Sequence, residues 1–317
     1  MTNASLLIIH QGALGDVVLT FTAIIALRQK FRRIDILCQG QLGHLAVKLG
    51  LIDKRYPLEA AYFATLFSES IDEKIKNIMA GYSTILLFSF AADLKKSIRQ
   101  IADSRCFLIP PRPPAPVAIH VTEFLFKNLV DNGLLEAADS YDRFFARQRK
   151  QTHGSGRPID TSKIIIHPGS GSIRKRWPLT NFLGLADRLE KQGLQPTFVC
   201  GPAEPDLIEE LRNQDRQIHT FSELTDLVDG LESADGYIGN DSGVSHLAAF
   251  LGLPSVVIFG PADPVRWKPL GPRVQIVHPE LDCQPCFEIE PENCAQPECL
   301  ANTSTESALR AFNHLNK

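Results

Sequence analysis

Short apolar runs alternate along this chain with segments of helical period. Ser5–Ile9 reads as a strand, Asp16–Phe31 as a helix and Ile34–Cys38 as a strand. Gln41–Leu49 reads as a helix that Gly50 ends from the C′ position. Ser83–Phe90 predicts a buried strand, with helices at Ala92–Ala102 and Val121–Asn132. Between those helices, Pro110–Pro116 cannot be helix or central strand, because proline lacks the N–H donor and fixes φ; a surface crossing is expected. Periodicity lapses from Arg147 to Ser162 and then restarts. Strands follow at Lys163–His167, Pro196–Cys200, Gly236–Gly239 and Ser255–Phe259. Helices follow at Leu179–Gln192, Asp206–Gln214, Leu224–Glu232 and Gly243–Leu251, with a closing helix at Thr305–Leu315. Apolar strands alternating with helices are the mark of parallel sheets covered on both faces. The expected class is α/β: one Rossmann-like α/β/α domain over 1–150, a linker over 151–162, and a second such domain over 163–317.

Composition narrows this picture only a little. The 317 residues are 44% hydrophobic and 22% charged, which sets aside disordered and coiled-coil classes. The longest apolar runs, Leu6–Ile9 and Ile85–Ala92, fall short of the ~20 residues a spanning helix needs. Met1–Ser5 lacks the basic region of a signal peptide, so a cytoplasmic chain is expected. A net charge of -3 gives no sign of a nucleic-acid partner. The charge is uneven, however: residues 1–150 carry +5 and residues 151–317 carry -8. Either surface charge is scattered by chance, or the front half faces an anionic partner.

Candidate chemistry gathers at the strand-to-helix turns. The first strand runs into His10-Gln-Gly-Ala-Leu-Gly-Asp16, where Gly12 and Gly15 allow close backbone approach and a helix start favours anions. Asp16 there is either a helix cap, worth about 1 kcal/mol, or a functional carboxylate. In the second half, His167-Pro-Gly-Ser-Gly-Ser172 offers Ser170 and Gly171 beside Arg174, Lys175 and Arg176, a combination suited to a diphosphate or to a solvated basic loop. Glu204, after Cys200-Gly-Pro-Ala, stands where a carboxylate can accept from a ribose hydroxyl or favour a helix start. The turn Gly239-Asn-Asp-Ser-Gly243 aims Ser242 and Gly243 at an anion, with His246 four residues on from Ser242. Lys95 and Arg99 share one face of a predicted helix, as an anion-facing pair or as a solvated surface.

Taken in order, Gly12-Ala-Leu-Gly-Asp16, Lys175-Arg-Trp-Pro178, Gly239-Asn-Asp-Ser-Gly243 with His246, and Phe259-Gly-Pro261 with Trp267 resemble glycosyltransferase family 9, the ADP-heptose:lipopolysaccharide heptosyltransferases. The resemblance implies a GT-B fold, two Rossmann-like domains facing each other across a cleft, with the donor on the C-terminal one. It implies inverting, metal-independent transfer from ADP-L-glycero-D-manno-heptose to an anionic lipid A/inner-core acceptor, with peripheral contact at the cytoplasmic face of the inner membrane. Matched position by position, Asp16 is the general base and Lys175 the phosphate-contacting catalytic lysine. Glu204 is the ribose carboxylate, and Asp241, Ser242, Gly243 and His246 form the donor turn. Gly12, Gly15, Lys95 and Arg99 are expected on the acceptor side. An exposed aspartate, with a pKa near ~3.9, is a weak base, so burial is expected to raise Asp16.

Cys283, Cys286, Cys294 and Cys299 have a spacing that suits a structural Zn²⁺, a disulfide or free thiols; no cofactor is expected for catalysis. Other readings stay open: a GT-B transferase using another nucleotide sugar or a protein acceptor, or a non-catalytic nucleotide-sugar binder. An oxidoreductase is disfavoured because no G-x-G-x-x-G follows any strand.

Overall fold

The computed structural model describes residues 4–68, 70–139, 141, 163–279, 285–288 and 298–315. The chain divides into two units. The chain up to Pro113, and again from Val121, builds the first; Pro114–His120 joins the chain from Lys163 onward in the second. The expectation that everything before residue 150 belongs to the first domain is therefore corrected at Pro114–His120. That segment is held by the second unit, where the Pro114 and Val117 carbonyls accept from Arg266. The expected linker lies outside the described residues.

In the first unit the order is β1 (Ser5–His10), α1 (Leu14–Leu27), β2 (Arg33–Cys38), α2 (Gly40–Lys48), β3 (Lys54–Pro57), α3 (Glu73–Ala80), β4 (Thr84–Phe88), α4 (Ala92–Ile101), β5 (Arg105–Ile109) and α5 (Val121–Asp131). The five strands are parallel in the order β3-β2-β1-β4-β5, with Leu6 opposite Ile34 on one side and Thr84 on the other. Strand β1 is central and covered on both faces, which is why its sequence is an unbroken apolar run rather than an alternation. Each fully buried Leu or Ile there contributes roughly 1.5–3 kcal/mol of transfer free energy. Helix α1 begins two residues before the expected Asp16 and ends at Leu27 rather than Phe31. Ala13 is its cap and Gly15 and Asp16 are already helical.

The second unit runs β6 (Lys163–His167), α6 (Leu179–Lys191), β7 (Gln195–Cys200), α7 (Pro205–Asn213), β8 (Ile218–Thr220), α8 (Leu224–Glu232), β9 (Gly236–Asn240), α9 (Gly243–Phe250), β10 (Ser255–Ile258), α10 (Pro264–Trp267), β11 (Val274–Val277), α11 (Glu298–Ala301) and α12 (Thr305–Leu315). Its sheet is parallel in the order β11-β10-β9-β6-β7-β8. The core is built on Trp177, Phe182, Phe198 and Phe312, with the rings of Trp177 and Phe182 edge-on at 4.8 Å. The Trp177 indole N–H finds the Thr303 carbonyl at 2.9 Å, so burying this side chain leaves no donor unmet.

Both sheets reverse direction once in their strand order, between β1 and β4 and between β6 and β9. Ligands of such sheets bind beyond the carboxyl ends of the strands at that reversal. This places the two regions of interest at His10–Asp16 and Ser89 in the first unit, and at His167–Lys175 and Asn240–Ser242 in the second.

Candidate active site

In the second unit, Asn240 ties the turns after β6 and β9 together. Buried at the end of β9, its amide oxygen accepts from the Trp177 N–H at 2.9 Å and its amide nitrogen donates to the Pro168 carbonyl at 2.8 Å. Ser170 Oγ donates to the Asp241 carbonyl at 2.9 Å, closing the same junction. Ser242 caps α9, its Oγ accepting from the Ser245 N–H at 3.3 Å. The start of α9 therefore faces the small-residue turn at Gly169–Ser172, and its dipole makes that place favourable for negative charge. Gly171 has open space where a side chain would stand, whereas a Cβ on Gly169 would fall 2.3 Å from Glu204 Oε1.

Of the three basic residues in the turn, Lys175 is the one that meets the junction. Its ammonium lies 2.8 Å from Asp241 Oδ2 and 4.2 Å from the Phe287 ring centroid. Burial pushes the Asp241 carboxyl above its ordinary value; the Lys175 charge and hydrogen bond pull it back part of the way, and Glu288 adds to the rise. Arg176 instead pairs with Asp206 at 2.7 Å, and Arg174 lies over Phe287 with Nη2 3.9 Å from Cys286 Sγ.

Glu204 turns inward. Its Oε2 accepts from the Gly201 N–H at 2.7 Å, and Oε1 stands 3.7 Å from His167 Nε2. Burial alone raises this carboxyl, but His167, the Gly201 amide and Arg176 outweigh it and hold it below the usual glutamate value. His246 is buried in α9, and burial first, with the charges of His120 and Lys175, lowers its pKa to about 3. It is a neutral imidazole whose Nδ1 has no hydrogen-bond partner among the described residues.

In the first unit, the carboxylate of Asp16 folds back onto its own helix start, Oδ2 accepting from the Ala13 N–H at 3.1 Å. The side chain is partly exposed. Gly12 donates its N–H to His10 Nδ1 at 3.0 Å, and a Cβ on Gly12 would fall 2.6 Å from both Asp16 Cβ and His10 Cε1. Only glycine fits between the imidazole and the carboxylate. His10 is buried, and desolvation lowers its pKa to about 4, which keeps Nδ1 an acceptor. Gly15 lies within the first turn of α1. Lys95 and Arg99 sit on α4 and pull the Cys106 thiol of β5 down against the larger upward push of burial. They flank the edge strand, while Ser89 and Gln11, 3.3 Å apart, occupy the sheet reversal.

Residues 111–295, more than half of the chain, match the model of glycosyltransferase family 9 (heptosyltransferase). The chain belongs to that family. It is a glycosyltransferase, built on the α/β GT-B class of fold. Lipopolysaccharide heptosyltransferase 3 of Escherichia coli K12 is 24% identical over 293 residues, which cover 80% of this chain and 82% of the relative. Solved structures share the fold. The family 9 glycosyl transferase from Veillonella parvula superposes with a TM-score of 0.77 at 17% identity, over 100% of this chain and 98% of that one. The E. coli ADP-heptose lps heptosyltransferase II gives 0.74 at 16% identity, over 98% of each chain.

The sequence reading of this family 9 enzyme missed Arg266 and Glu288. Arg266 is buried; its Nε donates to Glu288 Oε2 at 2.8 Å and its Nη1 to the Pro114 carbonyl at 2.8 Å. Trp267 Nε1 donates to the same Glu288 oxygen at 2.9 Å. The partners of Arg266 lie 22 and 152 positions away, so no local spacing announces them. A buried arginine beside a motif tryptophan is the only signal, and burial is not visible in one sequence. Of the four clustered cysteines, Cys283 and Cys294 lie outside the described residues. Cys299 is buried in the core of the second unit and Cys286 is half-buried beside Arg174. Among the described residues no group of three or more His, Cys, Asp or Glu side chains is placed to hold a metal, and none of the described helices is long and apolar enough to cross a membrane.

Proposed function

We propose that the chain transfers a heptose from an ADP-linked donor to a saccharide acceptor of the lipopolysaccharide core, with inversion. The observation that carries this is the junction of Ser170, Lys175 and Asn240–Ser242 at the sheet reversal of the second unit, where amides, a helix start and one ammonium converge. Such a site suits a diphosphate leaving group. The likeness to lipopolysaccharide heptosyltransferase 3 supports a heptose as the sugar and a lipopolysaccharide saccharide as the acceptor.

In the reaction, Asp16 takes the proton of the acceptor hydroxyl as its oxygen attacks the anomeric carbon from the face opposite the diphosphate. The bond from that carbon to the phosphate oxygen breaks, and the electron pair leaves with ADP. Lys175 moves from Asp241 toward the departing phosphate, and the amides at Ser242 and Gly243 take up charge beside it. No step uses a metal, because one ammonium and a helix start already oppose the developing charge. Glu204 serves the ribose, with Gly201 and His167 fixing its carboxylate; Ser170 and Gly171 border the phosphates and His246 packs behind them. Gly12 and Gly15 shape the acceptor side. Lys95 and Arg99 act on the acceptor through long-range attraction from the sheet edge.

A thermal-shift comparison of ADP-heptose, ADP, UDP-sugars and GDP-sugars tests the donor. ADP-heptose at 100 times its Kd is expected to stabilise the protein by about 2.7 kcal/mol, with UDP- and GDP-sugars giving little. Equal shifts from all three nucleotides overturn the ADP assignment.

A further inference from the structure

Lys175 has two neighbours at the junction in the second unit, and one of them is not a counter-ion. Its ammonium lies 2.8 Å from Asp241 Oδ2 and 4.2 Å from the centre of the Phe287 ring. We infer that Phe287 is a positioning residue, whose ring face keeps the Lys175 ammonium at the junction while leaving its N–H groups free for phosphate. The inference rests on the reading of Lys175 as the phosphate-contacting lysine.

Distance comes first. A cation within about 6 Å of a ring centroid is attracted by the negative face of the π system. The ammonium is well inside that limit, whereas the Arg174 guanidinium is 5.6 Å from the same ring and turns Nη2 toward Cys286 Sγ. The Lys175 side chain is only 20% exposed, so water screens the attraction little. Donors come second. A lysine ammonium carries N–H donors and no acceptor, and a carboxylate in the place of Phe287 would compete with phosphate for them. An aromatic face attracts the charge without occupying a donor.

Fixation comes third. The Cys286 and Phe287 N–H groups both donate to the Pro261 carbonyl, at 2.9 and 3.0 Å. The ring packs beside Val257, Phe259 and Ala262. Glu288, the next residue, accepts from Arg266 Nε at 2.8 Å and from Trp267 Nε1 at 2.9 Å. The ring is therefore a fixed surface, and the lysine stem is the part that moves. When ADP draws the ammonium from Asp241, a stem already confined beside the ring has less rotamer freedom left to lose.

Calorimetry with ADP tests this in wild type, Phe287→Leu, Phe287→Tyr and protein carrying mono-, di- or trifluorophenylalanine in place of Phe287. Leucine fills the space without a π face, and tyrosine keeps the face. Fluorine drains the face of negative charge with little change of shape, so the series stays decisive if Phe287→Leu folds poorly. Phe287→Leu is expected to weaken ADP binding about three- to tenfold and Phe287→Tyr less than about twofold, with Kd rising at each added fluorine. The leucine change is then repeated in Lys175→Ala with Asp241→Asn, where the ring has lost its ammonium. There it is expected to alter ADP affinity by less than about twofold, since the effect of the ring passes through Lys175. A Kd unmoved by leucine or by fluorine, or an equal loss in both backgrounds, overturns the inference and leaves the ring as packing. The lysine reading fails separately. An ADP affinity in Lys175→Ala with Asp241→Asn equal to that of Asp241→Asn alone removes it, and the inference falls with it.

Discussion

Asp16 shows how one side chain can satisfy two descriptions. Its Oδ2 accepts from the Ala13 N–H, as a first-turn carboxylate does, and the same carboxylate is the proposed base. Asp16→Asn separates them, because an amide oxygen still caps the helix but cannot take a proton. Turnover is expected to fall by about 10² to 10⁴, with melting temperature and ADP affinity unchanged. Wild-type turnover in that variant assigns Asp16 to capping alone. Lys175 needs a different design. Lys175→Ala alone leaves Asp241 as a buried, unpaired carboxylate, at a cost of about 3–5 kcal/mol that would obscure any effect on binding. In Lys175→Ala with Asp241→Asn that charge is gone. ADP is then expected to bind about tenfold or more weakly, and turnover to drop with it. An ADP affinity equal to that of Asp241→Asn alone would show that the ammonium never touches phosphate.

At the scale of elements, what the sequence made legible follows burial. Strands β1, β4, β6 and β10 are covered on both faces and read as apolar runs of three or more residues, so their positions are predictable to within about two residues. Strands β3, β5, β8 and β11 give no strand signal in the sequence. They are short, three to five residues each, and lie toward the sheet edges with polar residues such as Lys54, Arg105, His219 and Gln275. Helix α1 was placed late because Ala13, its cap, offers no polar side chain to mark the start. The proposed donor turn is legible as Gly239–Gly243, but the role of Asn240 is not. Its side chain works across more than sixty positions, joining Trp177 and Pro168. Asn240→Ala deprives a buried N–H and a buried carbonyl of partners, each worth about 1–3 kcal/mol. Thermal melting of that variant is expected to drop by several degrees, with weaker ADP binding because the two turns lose their tie. Unchanged melting and ADP affinity would mean that the turns hold their shape without it.

At the scale of the whole molecule, acid sensitivity follows from histidines buried as neutral rings. His10 and His120 are lowered to about 4 and His246 to about 3, in each case chiefly by burial. In the unfolded chain a histidine titrates near ~6.5, so between that value and the folded one the unfolded state binds the extra proton. Stability therefore rises with pH across this window. The contribution is complete above about 6.5 and is lost as pH falls toward 4, with a slope of up to about 1.4 kcal/mol per pH unit for each group. Asp241 acts in the opposite sense, since its raised folded value lets the native state take a proton before the unfolded chain does, and it offsets part of the loss. His120 and His246 both belong to the second unit and His10 to the first. The second unit is thus expected to be the more acid-sensitive, its melting temperature falling faster between pH 6.5 and 5. His246→Gln removes one titrating ring from that unit and is expected to flatten its slope by about one group's share, whatever it does to the melting temperature at pH 7. Melting curves taken across that range check this. A slope identical to wild type would mean that His246 takes up its proton alike in the folded and unfolded states, and its place as a neutral ring behind the proposed donor turn would have to be given up.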